Sequence, residues 1–340
     1  MSVNPKRTDI ALPQLPAELQ LVMAAVLANG ALVLLTSDAD LEREWRRDSN
    51  GWVLGKPFEV AARAKSQLWF FDDTGLVEGP SFPLETPFPR IDRFDDGRWL
   101  VVACRTRGEP NARVLTPDGQ LLARFMLGDG IEHVGVDRHD QIWVGWFDEG
   151  IFGNEKWRVP NEQWPPSTRG MGCFRADGAY QKLPDFPQGA GIIADCYALN
   201  IADDGVWTCP YMEFPLFQLQ SSGPLRWWSN EISGPKALAV FEGHALLAGG
   251  YGSDANRLTL IALDGEGDGH IARTVATWRL PLVPRQPERG EPREVTEGHP
   301  WLYPTLLAGR GEAIHMLQNG VWYRWRVSDA LRAVESAGHV

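Results

Sequence analysis

Residues 131–150 read IEHVGVDRHDQIWVGWFDEG. IEHVGVD alternates apolar and polar residues, the period of a strand with one buried face. RHDQ is a polar turn, and IWVGWF is apolar on both faces, as a strand covered on both sides requires. A short turn brings the far ends of two strands together, so Glu132 is expected near Asp148, with Glu149 next in the chain. Adjacent strand residues project to opposite faces, so Glu132 and His133 are not expected to face the same way. Whether these carboxylates form a catalytic cluster or simply end two buried strands depends on their surroundings.

The unit recurs. LQLVMAAVLANGALVLLT, PRIDRFDDGRWLVVAC, DCYALNIADDGVWTCPY, KALAVFEGHALLAGG and YPTLLAGRGEAIHMLQ share its form of strand, turn and apolar strand. Outer hairpins such as RVLTPDGQLLARFML and CFRADGAYQKLPDF follow them. Six copies of a four-stranded unit predict an all-β chain, a single six-bladed β-propeller of antiparallel blades over residues 1–340. The blades fall at 17–85, 86–127, 128–188, 189–232, 233–283 and 301–328. The sixth has one outer strand, VWYRWRV, so DIALPQL (9–15) is expected to supply its last strand, close the ring and cover a sheet edge. Trp99, Trp143 and Trp207 recur at the start of second strands and read as packing between blades. No long helix is expected.

Charge narrows the function. With 33 Lys+Arg against 44 Asp+Glu the formal net charge is −11, which opposes nucleic-acid binding and docking on anionic membranes. The apolar run at 19–37 is divided by Asn29-Gly30, a hairpin signal, and Glu18 and Gln20 intrude where a signal peptide is clean. A cytoplasmic location is expected. The four cysteines have neither CxxC nor zinc-ligand spacing and read as buried thiols.

In a propeller the first strand of each blade runs from one face, the top, along the central channel. Short turns then lie at the bottom, and three long loops, 37–57, 148–170 and 283–301, lie at the top. They carry Trp45, Trp52, Trp157, Trp164 and Trp301 with mixed charge, as a binding rim or a channel plug would. Strand ends at the channel mouth add Arg90, Glu132, Asp148, Glu149, Asp195, Tyr197, Tyr211, Glu213 and Lys236. Trp and Arg on protruding loops are the residue types that dominate interfaces. The first expectation is therefore a non-enzymatic binding propeller whose top face engages a protein or a small polar ligand.

The second expectation is enzymatic. Converging carboxylates repel unless a metal, a shared proton or nearby Arg and Lys relieves them, and oxygen-only ligands suit Ca²⁺ or Mg²⁺. The repeat rhythm resembles six-bladed propellers of the NHL and gluconolactonase/strictosidine-synthase-like group. ADCYALNIADDGVWTCPY resembles the lactonase branch's Pro-Asp-Gly strand followed by a strand with Trp, and FDEGIFGNEKW resembles a stretch of uncharacterised bacterial propeller proteins. That resemblance implies a divalent metal at the channel top, with Asp195 and, in the preceding blade, Glu132 as ligands. Asp148 or Glu149 would then be the general base of a metal-dependent hydrolase or lactonase. Three departures stand out: Glu132 where Asn is expected, Arg90 at a possible ligand position, and Ala194-Asp195-Cys196 in place of Pro-Asp-Gly. G-x-S-x-G, Walker A and H-E-x-x-H motifs are absent. LDGEGDGH (263–270) lacks the terminal acid of a calcium loop and reads as a turn.

Overall fold

The computed structural model describes residues 3–48, 52–72, 75–220, 224–265, 268–284 and 304–338. The fold is a six-bladed β-propeller built of small antiparallel four-stranded sheets. Two compact units divide the chain, Leu12–Lys182 and Met1–Ala11 with Leu183–Val340. The first holds blades one to three, whose inner strands are Gln20–Val26, Pro89–Arg93 and Ile131–Val136. The second holds blades four to six, whose inner strands are Asp195–Ala202, Ala237–Phe241 and Leu306–Arg310. Among the described residues no helix is long and apolar enough to cross a membrane.

The turn after each inner strand explains part of the repeat. In blade three Asp137 accepts from the backbone N–H groups of His139 and Gln141. Its other oxygen takes the indole N–H of Trp143 at 2.9 Å. Asp204 does the same for Trp207 at 2.8 Å in blade four. A buried indole needs such a partner, and a turn aspartate supplies one without leaving the blade. Trp99 in blade two keeps the position but has no acceptor among the described residues, and the Arg93 guanidinium lies 5.2 Å from its ring centre. All three tryptophans are buried, as the sequence predicts.

Three features differ from expectation. The strand completing blade six is Arg7–Ala11, paired from Arg7↔Trp325 to Ala11↔Val321. It starts before residue 9 and stops short of Pro13, which has no N–H to give a ladder. The glycine-rich stretch after Arg257–Ala262 is more than a hairpin turn. Asp268–Ile271 leaves its own blade and pairs in parallel with Arg226–Ser229, covering the outer edge of blade four. Finally, the expected tail is a ten-residue helix, Val327–Ser336. Val327, Ala330, Ala333 and Val334 are buried in one cluster with Ala237, Leu246 and Leu258 of blade five.

Inner strands of blades one, three and four also carry a register shift near their start, between Leu21 and Met23, Ile131 and His133, and Asp195 and Ala198. Each is a bulge that interrupts strict alternation and re-aims side chains at the strand end. Glu132 is the extra residue in blade three, so the simple opposition of Glu132 and His133 does not hold there.

Candidate functional site

Blades one to three form a pocket of about 1170 Å³ at the ends of strands that the sequence assigns to the top. One wall is the 37–57 loop. Asp40 accepts the Arg43 N–H and starts the short helix Leu41–Glu44, and Pro57 opens a second helix, Pro57–Ala61. Glu44 accepts the Lys56 N–H at 2.8 Å, tying the two together. Gly55 is required there, because a Cβ would run into the Glu44 backbone. This scaffold sets Trp45 5.1 Å from Phe88 and 6.2 Å from Phe58, ring centre to ring centre. The three rings give the pocket an aromatic wall.

Charged groups fill much of the remaining lining, and most are engaged. Arg113 is 5% exposed and donates to the carbonyls of Pro83 and Leu84, with Glu85 3.2 Å away. Glu85 also accepts from both terminal nitrogens of Arg124. Burial alone would raise the Glu85 carboxyl, but the Arg124 hydrogen bonds and the charges of Arg113 and Arg124 hold it below the usual carboxylate range. Arg105 bridges Asp129 at 3.2 Å and Glu149 at 2.5 Å, with its guanidinium 5.5 Å from the Phe147 ring centre. Lys56 pairs with Glu59.

Two half-buried charges on the pocket wall are different. Among the described residues Arg90 donates only to the backbone carbonyls of Glu132, at 3.1 Å, and Pro89, at 3.3 Å. It forms no ion pair among the described residues. Glu132, the bulge residue, also lines the pocket with no ion-pair partner among them. One guanidinium and one carboxylate thus face the same space, both unneutralised.

The other predicted residues separate. Asp148 accepts the Glu149 N–H at the start of the helix Asp148–Gly153, and Glu149 goes to Arg105 rather than to Glu132. Trp157 stacks on Phe174 and lies against Trp146 and Gly128, anchoring its loop to blade three. Trp52 and Trp164 are exposed, 73% and 64%. Trp301, with most of the 283–301 loop, lies outside the described residues.

Asp195, Tyr197, Tyr211, Glu213 and Lys236 belong to the other compact unit, so the proposed ligand pair Glu132 and Asp195 is split between units. Asp195 pairs with Tyr211 across the first two strands of blade four. Tyr197 stacks on Tyr211, and Lys236 Nζ sits 3.5 Å above the Tyr197 ring. Sequence reasoning missed the Trp45–Phe58–Phe88 wall as a unit, and Arg105 as the partner of the acidic end. Phe58 and Phe88 flank prolines in apparent connections, a pattern that signals a loop but not its packing.

The residues present do not fit a resident Ca²⁺ or Mg²⁺ of the kind the resemblance implies. Among the described residues no group of three or more His, Cys, Asp or Glu could hold a metal ion, and at the acidic end Glu149 is met by Arg105. The cysteines are free and buried. Burial pushes the Cys104 thiol up to about 11 and the Cys173 thiol up to about 12, so neither is a ready nucleophile.

No protein family matches the chain, and no curated protein does. Solved structures do. A catalytically inactive virginiamycin B lyase from Staphylococcus aureus with quinupristin aligns over 94% of this chain and 99% of its own, at 10% identity and a TM-score of 0.46. A chain of a mitotic checkpoint complex aligns over 96% of both, at 8% identity and 0.48. A functionally unknown protein from Desulfotomaculum acetoxidans covers 78% of this chain and 72% of its own, at 8% identity and 0.47. At such identities the likeness carries no functional argument.

Proposed function

We propose that this chain is a non-enzymatic binding propeller, and that its pocket on blades one to three takes a compact zwitterion with an apolar side group. The observation that carries the reading is the pair Arg90 and Glu132. They are half-buried on one wall and unneutralised, while the Glu85, Arg105 and Lys56 charges around them are all paired. A half-buried charge without a counterion is costly, and a ligand bringing one carboxylate and one ammonium would offset both costs at once. A carboxylate matches the forked guanidinium of Arg90, an ammonium matches Glu132, and the Trp45–Phe58–Phe88 wall accepts the apolar part. A free amino acid and the terminal residue of a peptide share this chemistry. The gluconolactonase-like reading finds no support in the donor set, so no hydrolytic step is assigned.

Phenylalanine, its amide and its N-acetyl derivative test the idea. A ligand that binds only the folded chain raises the melting temperature by mass action, here by about 2–4 °C near saturation. Phenylalanine is expected to do so, and each blocked derivative to do so much less. Arg90→Gln is expected to remove the preference over the amide, and Glu132→Gln the preference over the N-acetyl form. Equal shifts from all three compounds would overturn the proposal.

A further inference from the structure

In the other compact unit, blades four and five bring four aromatic rings together at the ends of their inner strands. Tyr197 stacks on Tyr211 at 5.6 Å and 17°, and Tyr251 meets Tyr197 edge-on at 6.2 Å and 68°. Phe214 lies beneath, within about 6 Å of all three (5.6 Å from Tyr197 and Tyr211, 6.1 Å from Tyr251). The arrangement is built rather than incidental. The bulge between Asp195 and Ala198 re-aims the strand at Tyr197. Phe214 is 6% exposed and held at φ 55, a region that bulky residues avoid. Its carbonyl is fixed by the Asn230 side chain at 2.8 Å. Tyr251 packs flat on Gly234, where a Cβ would lie 3.0 Å from the ring. The Tyr251 hydroxyl donates to that of Tyr197 at 3.0 Å. Burial pushes the Tyr197 phenol well above its ordinary range, and Tyr251, Asp195 and Tyr211 add to the effect. Tyr197 is therefore held as the neutral phenol, and Tyr251 stands 49% exposed at the surface.

The chain itself reports which chemistry this face accepts. The Lys236 ammonium sits 3.5 Å from the Tyr197 ring centre, well inside the range of a cation–π contact. Lys236 is exposed, so its hold is that of a flexible and strongly hydrated cation. A quaternary ammonium group is less strongly hydrated and has no N–H to satisfy. It suits a floor of aromatic faces better than a primary ammonium does. We propose that Tyr197, Tyr211, Phe214 and Tyr251 form a binding site for small quaternary ammonium compounds, with Lys236 as a resident competitor that the ligand displaces.

Tetramethylammonium is the probe, titrated into the full chain by isothermal calorimetry against sodium at equal ionic strength. Wild type is expected to bind with a dissociation constant on the order of millimolar. Lys236→Ala is expected to bind about three- to tenfold more tightly, because the site no longer has to be vacated. Tyr197→Phe is expected to retain binding, since it keeps the ring face, and Tyr197→Leu to lose it. If Tyr197→Leu fails to fold, the exposed Tyr251→Leu serves instead, with its melting curve as the check. The titrations are repeated in a Glu132→Gln background, which removes the ammonium partner in the pocket of the other unit, so that the binding read is that of the aromatic site. Absence of binding in that background, in both the otherwise wild-type chain and Lys236→Ala, would overturn the proposal. So would binding in that background that survives the loss of the aromatic rings.

Discussion

Glu85 shows how one residue can carry both strain and charge at a site. Its φ of 66 lies in the left-handed region, where a side chain costs about 1 kcal/mol relative to glycine. Its carboxylate nevertheless holds buried Arg113 and clamps Arg124. Replacing it with alanine keeps the strain and strands the Arg113 charge, so Glu85→Ala is expected to cost about 2 kcal/mol, a value reduced from fully buried pairs because Glu85 is partly exposed. Glu85→Gly loses the same ion pairs but relaxes the backbone, and is expected to be about 0.5–1 kcal/mol less damaging than alanine. Urea unfolding of the two variants reads the difference. The same carboxylate gives a pH dependence. Its folded-state pKa is depressed, so its contribution is present above the unfolded value of about 4.3 and is lost as pH falls through the lower folded value. Wild type is therefore expected to lose more stability than Glu85→Gln as the pH falls below that range, measured by urea unfolding at stepped pH. None of this was legible beforehand, because LETPFP reads as a proline-rich connection. Glu132 and Tyr197 were legible as strand-end residues, but the bulges that aim them were not. A bulge is an offset between two strands, and one strand's alternation does not encode it.

At the scale of elements the repeat was readable because each blade obeys the same physics: an alternating strand, a turn with Asp or Gly, and a strand covered on both faces. The missing fourth strand of blade six was readable for the same reason, since an open edge demands a partner. What differed lay where local sequence competes with tertiary packing. VSDALRAV places apolar residues at 327, 330, 331 and 334, the spacing of a helical face, but ten residues of tail are too short for that face to hold without the blade-five surface beneath it. The closing strand offers a direct test. Arg7–Ala11 covers Val321–Arg326, Arg7 lies over the rings of Tyr323 and Trp325, and the Val3 carbonyl accepts the indole N–H of Trp278. Removing residues 1–11 strips that ladder and bares an edge carrying Trp322 and Trp325. The truncated chain is expected to melt at least about 5 °C lower and to self-associate with rising concentration, seen by calorimetry and size-exclusion chromatography. A chain that melts as wild type and stays monodisperse would mean that blade six does not need its fourth strand.

The largest scale sets the balance of charge. A surplus of eleven acidic groups, 44 against 33, invites the reading that carboxylates gather around a divalent cation. The side chains instead distribute that surplus. Glu149 meets Arg105, Glu85 meets two arginines, and Asp254 meets Arg257 and Arg279. Arginine, with its forked and permanently charged head, does locally what a metal would do. Two consequences can be measured together. EDTA is expected to leave the melting temperature unchanged to within about 1 °C, because a site bound only in the folded state would lose its mass-action stabilisation on chelation. Added Ca²⁺ or Mg²⁺ is expected to do no more than sodium at the same ionic strength, since diffuse screening of surface charge depends on ionic strength and a coordination site on ion identity. A stoichiometric metal in the purified protein, lost on chelation together with several degrees of stability, would sink this reading. Dependence of that loss on Glu132 would return the acidic strand ends to the centre of the chemistry.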